Sequence, residues 1–191
     1  MSKEYKKFAK EKLKLVDSYS SETQWLNLSK KWITKAFEKK YMYNFEWLGR
    51  PIIQTPIDMV AMQEIIWQTK PDLIIETGIA HGGSIIMNAS MLALLDFCDA
   101  IETRKKINPI KSKRKVLAID IDIRKHNLEL IKAHPMSSRI KMLQGSSIEK
   151  KIIDQVYQVA KKYKRIMICL DSHHTHSHVL KELELSLIHI S

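Results

Sequence analysis

The stretch KPDLIIETGIAHGGS, residues 70–84, decides the fold of this chain. Its apolar run from Asp72 to Glu76 has the length of a short buried strand. Small residues follow at positions 78, 80, 82 and 83, and an apolar helical pattern then runs from Ser84 to Cys98. A strand, a glycine-bearing turn and a helix in this order form the first half of a βαβ unit.

The same alternation continues towards the C-terminus. The apolar runs predict strands over Val116–Ile121, Ile140–Leu143 and Arg165–Leu170, with helices over Arg124–Ala133 and Glu149–Tyr163 between them. Upstream, a capping pattern that starts at Thr55 predicts a helix that ends at Thr69, and residues 43–56 are expected to be irregular. The order β-α-β-α-β-α-β predicts an α/β fold with a doubly wound, Rossmann-like parallel sheet.

Ligands of such sheets bind at the carboxyl ends of the strands, beside the point where the strand order reverses. Four segments of the chain follow predicted strands: Glu76–Ser84, Asp120–Asp122, Gly145–Ser147 and Asp171–His178. We therefore expect these segments to meet in one crevice.

The positive charge of the chain lies in two segments. Its net charge is +11, of which residues 1–40 contribute +6 and residues 99–115 contribute +5, so the remainder is neutral. We expect a basic helical extension over residues 1–45 and one domain over residues 46–191. Charge without a recognition motif predicts no specific nucleic-acid partner. A solvated surface is the favoured interpretation, and peripheral contact of the basic arm with an anionic surface is the alternative.

The apolar runs, the N-terminus and the two cysteines indicate the cellular location of the protein. The apolar runs are too short to cross a bilayer, and the N-terminus has no secretory pattern, so a cytoplasmic location is expected. Cys98 and Cys169 both lie in apolar runs without CxxC spacing, which favours reduced core thiols.

Two cofactor classes fit the turn after the first strand. Read as G-x-A-x-x-G from Gly78, it approximates the dinucleotide fingerprint; read as E-x-G-x-A-x-G from Glu76, it is the pattern of S-adenosylmethionine binders. Asp120 ends the next strand and would accept hydrogen bonds from ribose in either class. It lies 42 residues after Gly78, whereas dinucleotide binders place their acid about 20 residues on. Glu76 also suits an ammonium group better than a pyrophosphate, which favours S-adenosylmethionine.

The fourth strand is followed by Asp171 and by histidines at positions 173, 174, 176 and 178. A carboxylate beside imidazoles can bind a divalent metal, with oxygen ligands suiting Mg²⁺ and imidazoles suiting zinc or iron. The alternative is the polar start of a helix, capped by Ser172 or Thr175, with its histidines in solvent.

As a set, these segments resemble the cephalosporin hydroxylase and rhamnosyl O-methyltransferase family. The resemblance runs from Trp47 to Leu185 and is carried by WLGRPIIQTPIDM, QEII, KPDLIIETGIAHGGS, AIDIDIR, QGSS and LDSHHTHSHVL. It implies a class I methyltransferase fold, similar in layout to catechol O-methyltransferase. By this resemblance Asp120 binds ribose, Ser146 or Ser147 lies near adenine, and Asp171 ligates Mg²⁺. The methionine part would be held by Glu76, Gly78, Ala80, His81, Gly82, Gly83 and Ser84.

The resemblance implies an S-adenosylmethionine-dependent O-methyltransferase that acts on a hydroxyl of a small-molecule or glycan acceptor. Asp171 and His173 are the expected catalytic residues, with His174 as an alternative base. The competing interpretations are an NAD-binding oxidoreductase and an inactive cofactor-binding fragment. Whether the chain forms a homo-oligomer is left open by the sequence.

The last residues, LSLIHIS at positions 185–191, do not follow the family pattern and resemble a foreign tail. Since the sheet of this class continues past its fourth strand, we expect a C-terminally truncated domain. Such a chain would have low stability and no catalytic competence.

Overall fold

The computed structural model describes the backbone of residues 2–190 and the side chains of residues 2–185. The chain divides into two compact units, Met1–Met42 and Tyr43–Ser191.

The first unit consists of helices α1 (Lys3–Tyr19) and α2 (Thr23–Glu38). Ser2 caps α1, because its hydroxyl accepts a hydrogen bond from the amide of Tyr5 at 3.2 Å. The helical prediction for the N-terminal extension holds over α1 and α2, on either side of a break after Tyr19. At the break the hydroxyls of Ser20 and Ser21 donate to the carbonyls of Asp17 and Ser18. Such serine bonds compete with the helical backbone pattern and explain the interruption.

The second unit begins with a hairpin that the sequence did not predict. Strands β1 (Phe45–Trp47) and β2 (Arg50–Ile52) pair antiparallel around Leu48 and Gly49, which have φ angles of 47° and 80°. Positive φ at both central residues matches the turn that joins two twisted strands. The expectation of irregular structure over 43–56 was wrong here, because strands of three residues are too short to show alternation.

The helix predicted from Thr55 is α3 (Pro56–Thr69). The Thr55 hydroxyl accepts from the amide of Asp58 at 3.3 Å and donates to the Asp58 carboxylate at 2.8 Å. This confirms the capping pattern, and the left-handed residue Lys70, with φ of 46°, ends the helix.

A four-stranded parallel sheet forms the centre of the second unit. Its strands are β3 (Leu73–Thr77), β4 (Lys115–Asp120), β5 (Ile140–Gln144) and β6 (Ile166–Leu170), in the order β5-β4-β3-β6. The connecting helices are α4 (Gly83–Thr103), α5 (Lys125–Ala133) and α6 (Lys150–Ala160), and α7 (His176–Ile190) follows β6. Strands β4 and β5 lie on one side of β3 and β6 lies on the other, so the strand order reverses beside β3. The doubly wound prediction is confirmed.

Alternate side chains of the strands enter two apolar layers. Ile74 of β3 lies in one core cluster with residues of α3, α4 and α5, while Leu73 and Ile75 lie in a second cluster with Ile152 of α6. The central strands β3 and β4 are therefore covered on both faces, which is why their sequences are almost continuously apolar.

Helix α4 is long and apolar because it belongs to this core. The expectation that the apolar runs are too short to cross a bilayer was wrong for this helix, which alone among the described helices has the length and composition to do so. Half of its most apolar window is nevertheless buried in the protein. It runs five residues further than expected, to Thr103, and thereby shortens the basic loop to residues 104–114. Arg114 at the end of that loop is only 7% exposed.

Strand β6 is the last strand of the described sheet and pairs with β3 on one side. All five of its residues are partly exposed. The expected foreign tail at 185–191 lies mostly outside the residues whose side chains are described, so it stays a prediction.

Candidate functional site

The carboxyl ends of the four parallel strands meet through backbone hydrogen bonds. The amide of Gly78 donates to the carbonyl of Ile119 at 2.8 Å, and the amide of Gly145 donates to the carbonyl of Asp120 at 2.9 Å. On the other side, the amide of Asp171 donates to the carbonyl of Thr77 at 3.0 Å. The structure thus brings the four expected segments to one edge of the sheet, beside the strand-order switch.

The glycines of the turn are required by contacts within the protein. A Cβ atom on Gly78, whose φ is 92°, would lie 2.1 Å from the carbonyl oxygen of Asp171, and one on Gly83 would lie 2.2 Å from that of Pro51. A Cβ on Gly82 would lie 2.6 Å from the Ile131 side chain. The close approach of neighbouring segments therefore requires glycine at these positions.

The two non-glycine residues at the tip of the turn are held through their carbonyls. Ala80 is exposed and has a φ of 45°, a left-handed conformation that costs free energy for a residue with a Cβ. The Asn127 side-chain amide donates to its carbonyl at 2.9 Å, and the buried Arg50 guanidinium donates to the carbonyl of His81. Neither Arg50 nor Asn127 was found from the sequence.

The carboxylate of Asp120 supports the same turn from the next strand. Its Oδ2 accepts from the amides of Ile79 at 2.7 Å and Ala80 at 3.3 Å, and its Oδ1 accepts from the amide of Asp122 at 3.0 Å. The residue stays partly exposed. Asp120 therefore shapes the turn and still faces the crevice.

Glu76 lies beneath the turn, with only 2% of its surface exposed. Its carboxylate accepts hydrogen bonds from the Ser84 hydroxyl and from the Asn88 side-chain amide, the latter at 2.6 Å. Burial raises the pKa of Glu76 to about 7; the hydrogen bonds from Ser84 and Asn88 oppose the rise, and the nearby Asp171 adds to it. Both hydrogen bonds to Glu76 come from side chains of α4, and its role towards the methionine part of the cofactor stays a prediction.

The third strand end presents Ser146 and Ser147, both partly exposed. The Ser147 hydroxyl lies 3.2 Å from Nε2 of His178. That nitrogen also lies 3.5 Å from the carboxylate of Glu182, a residue only 4% exposed. Ser172 donates to the same carboxylate at 2.8 Å. A buried acid on α7 thus joins the loops after β5 and β6.

Asp171 and three of the nearby histidines are open to solvent. The Asp171 side chain is 51% exposed, and one of its oxygens lies 3.5 Å from Nε2 of His174. Burial raises the pKa of Asp171, and the charge of His174 opposes the rise. His173 is exposed and makes an edge-on ring contact with His178, with centroids 5.4 Å apart. Asp171 and His174 therefore form a carboxylate–imidazole pair at the mouth of the crevice.

Both cysteines are free thiols within the described chain. Burial raises the pKa of Cys169 to about 12, with contributions from Glu76 and Asp171. A thiol with so high a pKa stays protonated and unreactive.

Residues 39–189 match the family described as "Rhamnosyl O-methyltransferase/CmcI". The chain belongs to this family. Among curated relatives, the rhamnosyl O-methyltransferase of Mycobacterium leprae is 27% identical over 159 residues, which cover 80% of this chain and 61% of the relative. The rhamnosyl O-methyltransferase of Mycobacterium tuberculosis is 26% identical over 162 residues, which cover 80% and 57%. The chain thus spans about three fifths of the length of these relatives.

Two solved structures of CmcI share the fold. An apo structure superposes with a TM-score of 0.52 at 15% sequence identity, over 78% of this chain and 53% of that one. A structure of CmcI with Mg and SAM gives a TM-score of 0.50 at the same identity and coverage. At this identity the comparison supports the rhamnosyl O-methyltransferase/CmcI fold alone.

Proposed function

We propose that this chain forms the cofactor-binding part of an S-adenosylmethionine-dependent O-methyltransferase that acts on a hydroxyl of a sugar or secondary metabolite. The observation that carries the proposal is the glycine turn at the strand-order switch, bound at its amides by Asp120 and underlain by Glu76. Membership in the rhamnosyl O-methyltransferase/CmcI family supports it. Membership in this family also favours S-adenosylmethionine over a dinucleotide as the cofactor.

The exposed groups of the crevice suit this cofactor. A carboxylate can accept about four hydrogen bonds, and Asp120 accepts three from backbone amides, which leaves capacity for a ribose hydroxyl. The positive end of α4 favours the carboxylate of the amino-acid part. Glu76 lies below the turn, and the ionised form of its carboxyl group would favour the ammonium group. Ser146 and Ser147 are the candidates beside adenine.

The reaction requires little covalent chemistry from the protein itself. When bound, S-adenosylmethionine supplies a methyl carbon that bonds to the acceptor oxygen as its bond to sulfur breaks, leaving adenosylhomocysteine. The chain must align the two reactants and accept the proton of the hydroxyl. His174, whose Nε2 lies 3.5 Å from a carboxylate oxygen of Asp171, is better placed for this than His173. Asp171, His173 and His174 stay our candidate catalytic residues.

Magnesium assistance has less support from this chain. Over the residues that the structure describes, no group of three or more histidine, cysteine, aspartate or glutamate side chains could hold a metal ion. Mg²⁺ prefers several oxygen ligands in near-octahedral geometry, and of its candidate ligands only Asp171 is assigned. These residues do not by themselves form a magnesium site, so the mechanism above includes no metal step. Loss of turnover on chelation with EDTA and recovery with Mg²⁺ would support the metal.

The remaining proposals concern partners and location. The acceptor would be a small molecule or a glycan, and no nucleic acid is expected. The basic arm, residues 1–40, would contact anionic surfaces, and a homo-oligomer and a cytoplasmic location stay predictions.

Isothermal titration calorimetry with adenosylhomocysteine and with NAD tests the proposed function. We expect adenosylhomocysteine to bind and NAD to give no heat. Asp120→Ala should weaken adenosylhomocysteine binding on the order of 30- to 100-fold, because the hydrogen bond accepted from ribose and the support of the turn are both lost. Asp122→Ala, at an exposed position two residues on, is the matched control. Binding of NAD alone would favour the oxidoreductase interpretation, and binding of adenosylhomocysteine without methyl transfer would favour the inactive cofactor-binding fragment. Binding of neither ligand would contradict the proposed function.

A further inference from the structure

Arg50 is a buried cation without a buried anion to match it. It lies on β2 and is 8% exposed. Its Nε donates to the carbonyl of His81 at 3.0 Å, and its Nη2 donates to the same carbonyl and, at 3.0 Å, to Oδ1 of Asn127. Within the described part of the chain, none of the ion pairs involves Arg50. Burying an unpaired charge is costly, so the contact with the turn must offset that cost.

The bonds made by Arg50 and Asn127 fix the orientation of two consecutive peptides. Asn127 binds the carbonyl of Ala80, and Arg50 binds the carbonyl of His81. Because a trans peptide is planar, fixing the Ala80 carbonyl also turns the amide of His81 to the opposite side. The left-handed Ala80 would relax to a commoner conformation if these bonds were removed.

The hairpin that carries Arg50 is itself attached to α4. The Trp47 indole donates to the Ser90 hydroxyl at 2.9 Å, and the carbonyl of Pro51 lies so close to Gly83 that no Cβ would fit there. These contacts on either side of Arg50 make the hairpin a rigid platform. The guanidinium is thereby held at a fixed position behind the turn.

We propose that Arg50 is a positioning residue that holds the turn at Ala80 and His81 in its binding shape and makes it selective for ligands with a carboxylate. This inference rests on the proposed function, because the carboxylate in question is that of the amino-acid part of S-adenosylmethionine. The uncompensated charge of Arg50 lies one peptide from the exposed tip of the turn, and it adds to the positive end of α4. A ligand without a carboxylate would gain nothing from either charge.

The test compares two ligands on three variants. Adenosylhomocysteine carries the amino-acid part, and 5′-methylthioadenosine lacks it. We expect Arg50→Met to weaken adenosylhomocysteine at least about 10-fold and to change 5′-methylthioadenosine less than about 2-fold. Arg50→Lys should fall between the wild type and Arg50→Met, since an ammonium keeps the charge but cannot bridge two acceptors as a guanidinium fork does. Arg104→Met, at an exposed arginine on the far end of α4, is the control.

The outcomes separate the inference from the proposed function. Equal losses for both ligands, or no loss for either, would overturn the role of Arg50. If Arg50→Met does not fold, as thermal unfolding would reveal, Arg50→Lys decides. Wild-type affinity for both ligands in Arg50→Lys would overturn positioning by the fork, and a loss confined to adenosylhomocysteine would support it. A wild-type chain that binds neither ligand would instead overturn the proposed function.

Discussion

At the scale of single residues, the candidate site depends on two buried ionisable groups, Glu76 and Arg50. Glu76 is an acid that the sequence identified, but its burial follows from two side chains of α4, Ser84 and Asn88, that close over it. Sequence spacing gives the position of the acid at the strand end and says nothing of what covers it. Arg50 was missed for a related reason, since its partners lie 31 and 77 residues further along the chain.

The raised pKa of Glu76 makes the stability of the fold depend on pH. Its pKa is about 7 in the folded chain against 4.5 when exposed, so the folded chain binds the extra proton. The stabilisation is complete below about pH 4.5 and is lost as the pH rises through 7. We expect Glu76→Gln to remove this loss, worth on the order of 3 kcal/mol by pH 8. Urea unfolding of the wild type and the variant between pH 5 and pH 8 measures it.

A suitable control for Glu76→Gln is Glu64→Gln, at an exposed glutamate of α3. The glutamine at position 76 could also donate to the Asn88 side-chain oxygen, which has no partner in the structure. Parallel pH dependence in the wild type and Glu76→Gln would contradict the raised pKa.

At the scale of elements, the helices and strands with a long apolar periodicity could be predicted from the sequence, and the short hairpin could not. The strands of the parallel sheet and the helices between them lie within a few residues of their predicted bounds, because each buries a face whose spacing the sequence displays. The hairpin β1–β2 is too short to display such a spacing, although Arg50 and Ile52 of β2 are buried. Its shape depends on positive φ at Leu48 and Gly49 and on its contact with α4.

Asp96 joins three elements through two buried arginines. Its carboxylate accepts from Arg114 at 2.6 Å and from Arg139 at 2.5 Å, and both arginines are less than a tenth exposed. The network links α4 to the start of β4 and to the segment before β5. Part of the basic charge counted in the 99–115 segment is therefore neutralised inside the fold.

Removing that carboxylate should be costly. Asp96→Ala leaves Arg139 buried without an anion, and we expect a loss of about 3–5 kcal/mol in the free energy of unfolding. Glu38→Ala, which breaks an exposed ion pair with Lys35, is the control and should cost less than about 1 kcal/mol. Chemical denaturation measures both. A loss below about 1 kcal/mol for Asp96→Ala would mean that Asp99 and water replace the missing partner.

At the scale of the whole molecule, the sequence located the site without predicting its internal contacts. The order of elements predicts where a doubly wound sheet reverses, and the four strand-end segments meet there. The contacts that require the glycines were not predictable, because only the folded chain shows that Asp171 and Pro51 approach Gly78 and Gly83. Close approach of distant backbones leaves no periodic signal in the sequence.

The basic helix α1 offers a test of how far cofactor binding is confined to the second unit. Residues 1–20 carry six lysines against three acidic residues, and among the residues of α1 none is buried. We expect a chain without residues 1–20 to bind adenosylhomocysteine within about 2-fold of the full chain. Its binding to vesicles with anionic lipid should weaken. Any such binding should also fall steeply with salt, since the Debye length shortens from about 10 Å at 0.1 M to about 3 Å at 1 M.

Vesicles of neutral lipid are the control for the charge effect, and thermal unfolding of the shortened chain is the control for its fold. If the lysines act through the field of the anionic surface, the difference between full and shortened chains should vanish on neutral vesicles and at high salt. A difference that persists there would indicate binding through the exposed apolar side chains of α1, such as Phe8 and Leu13. Loss of adenosylhomocysteine binding from a shortened chain that still unfolds cooperatively would show that the arm is part of the cofactor site.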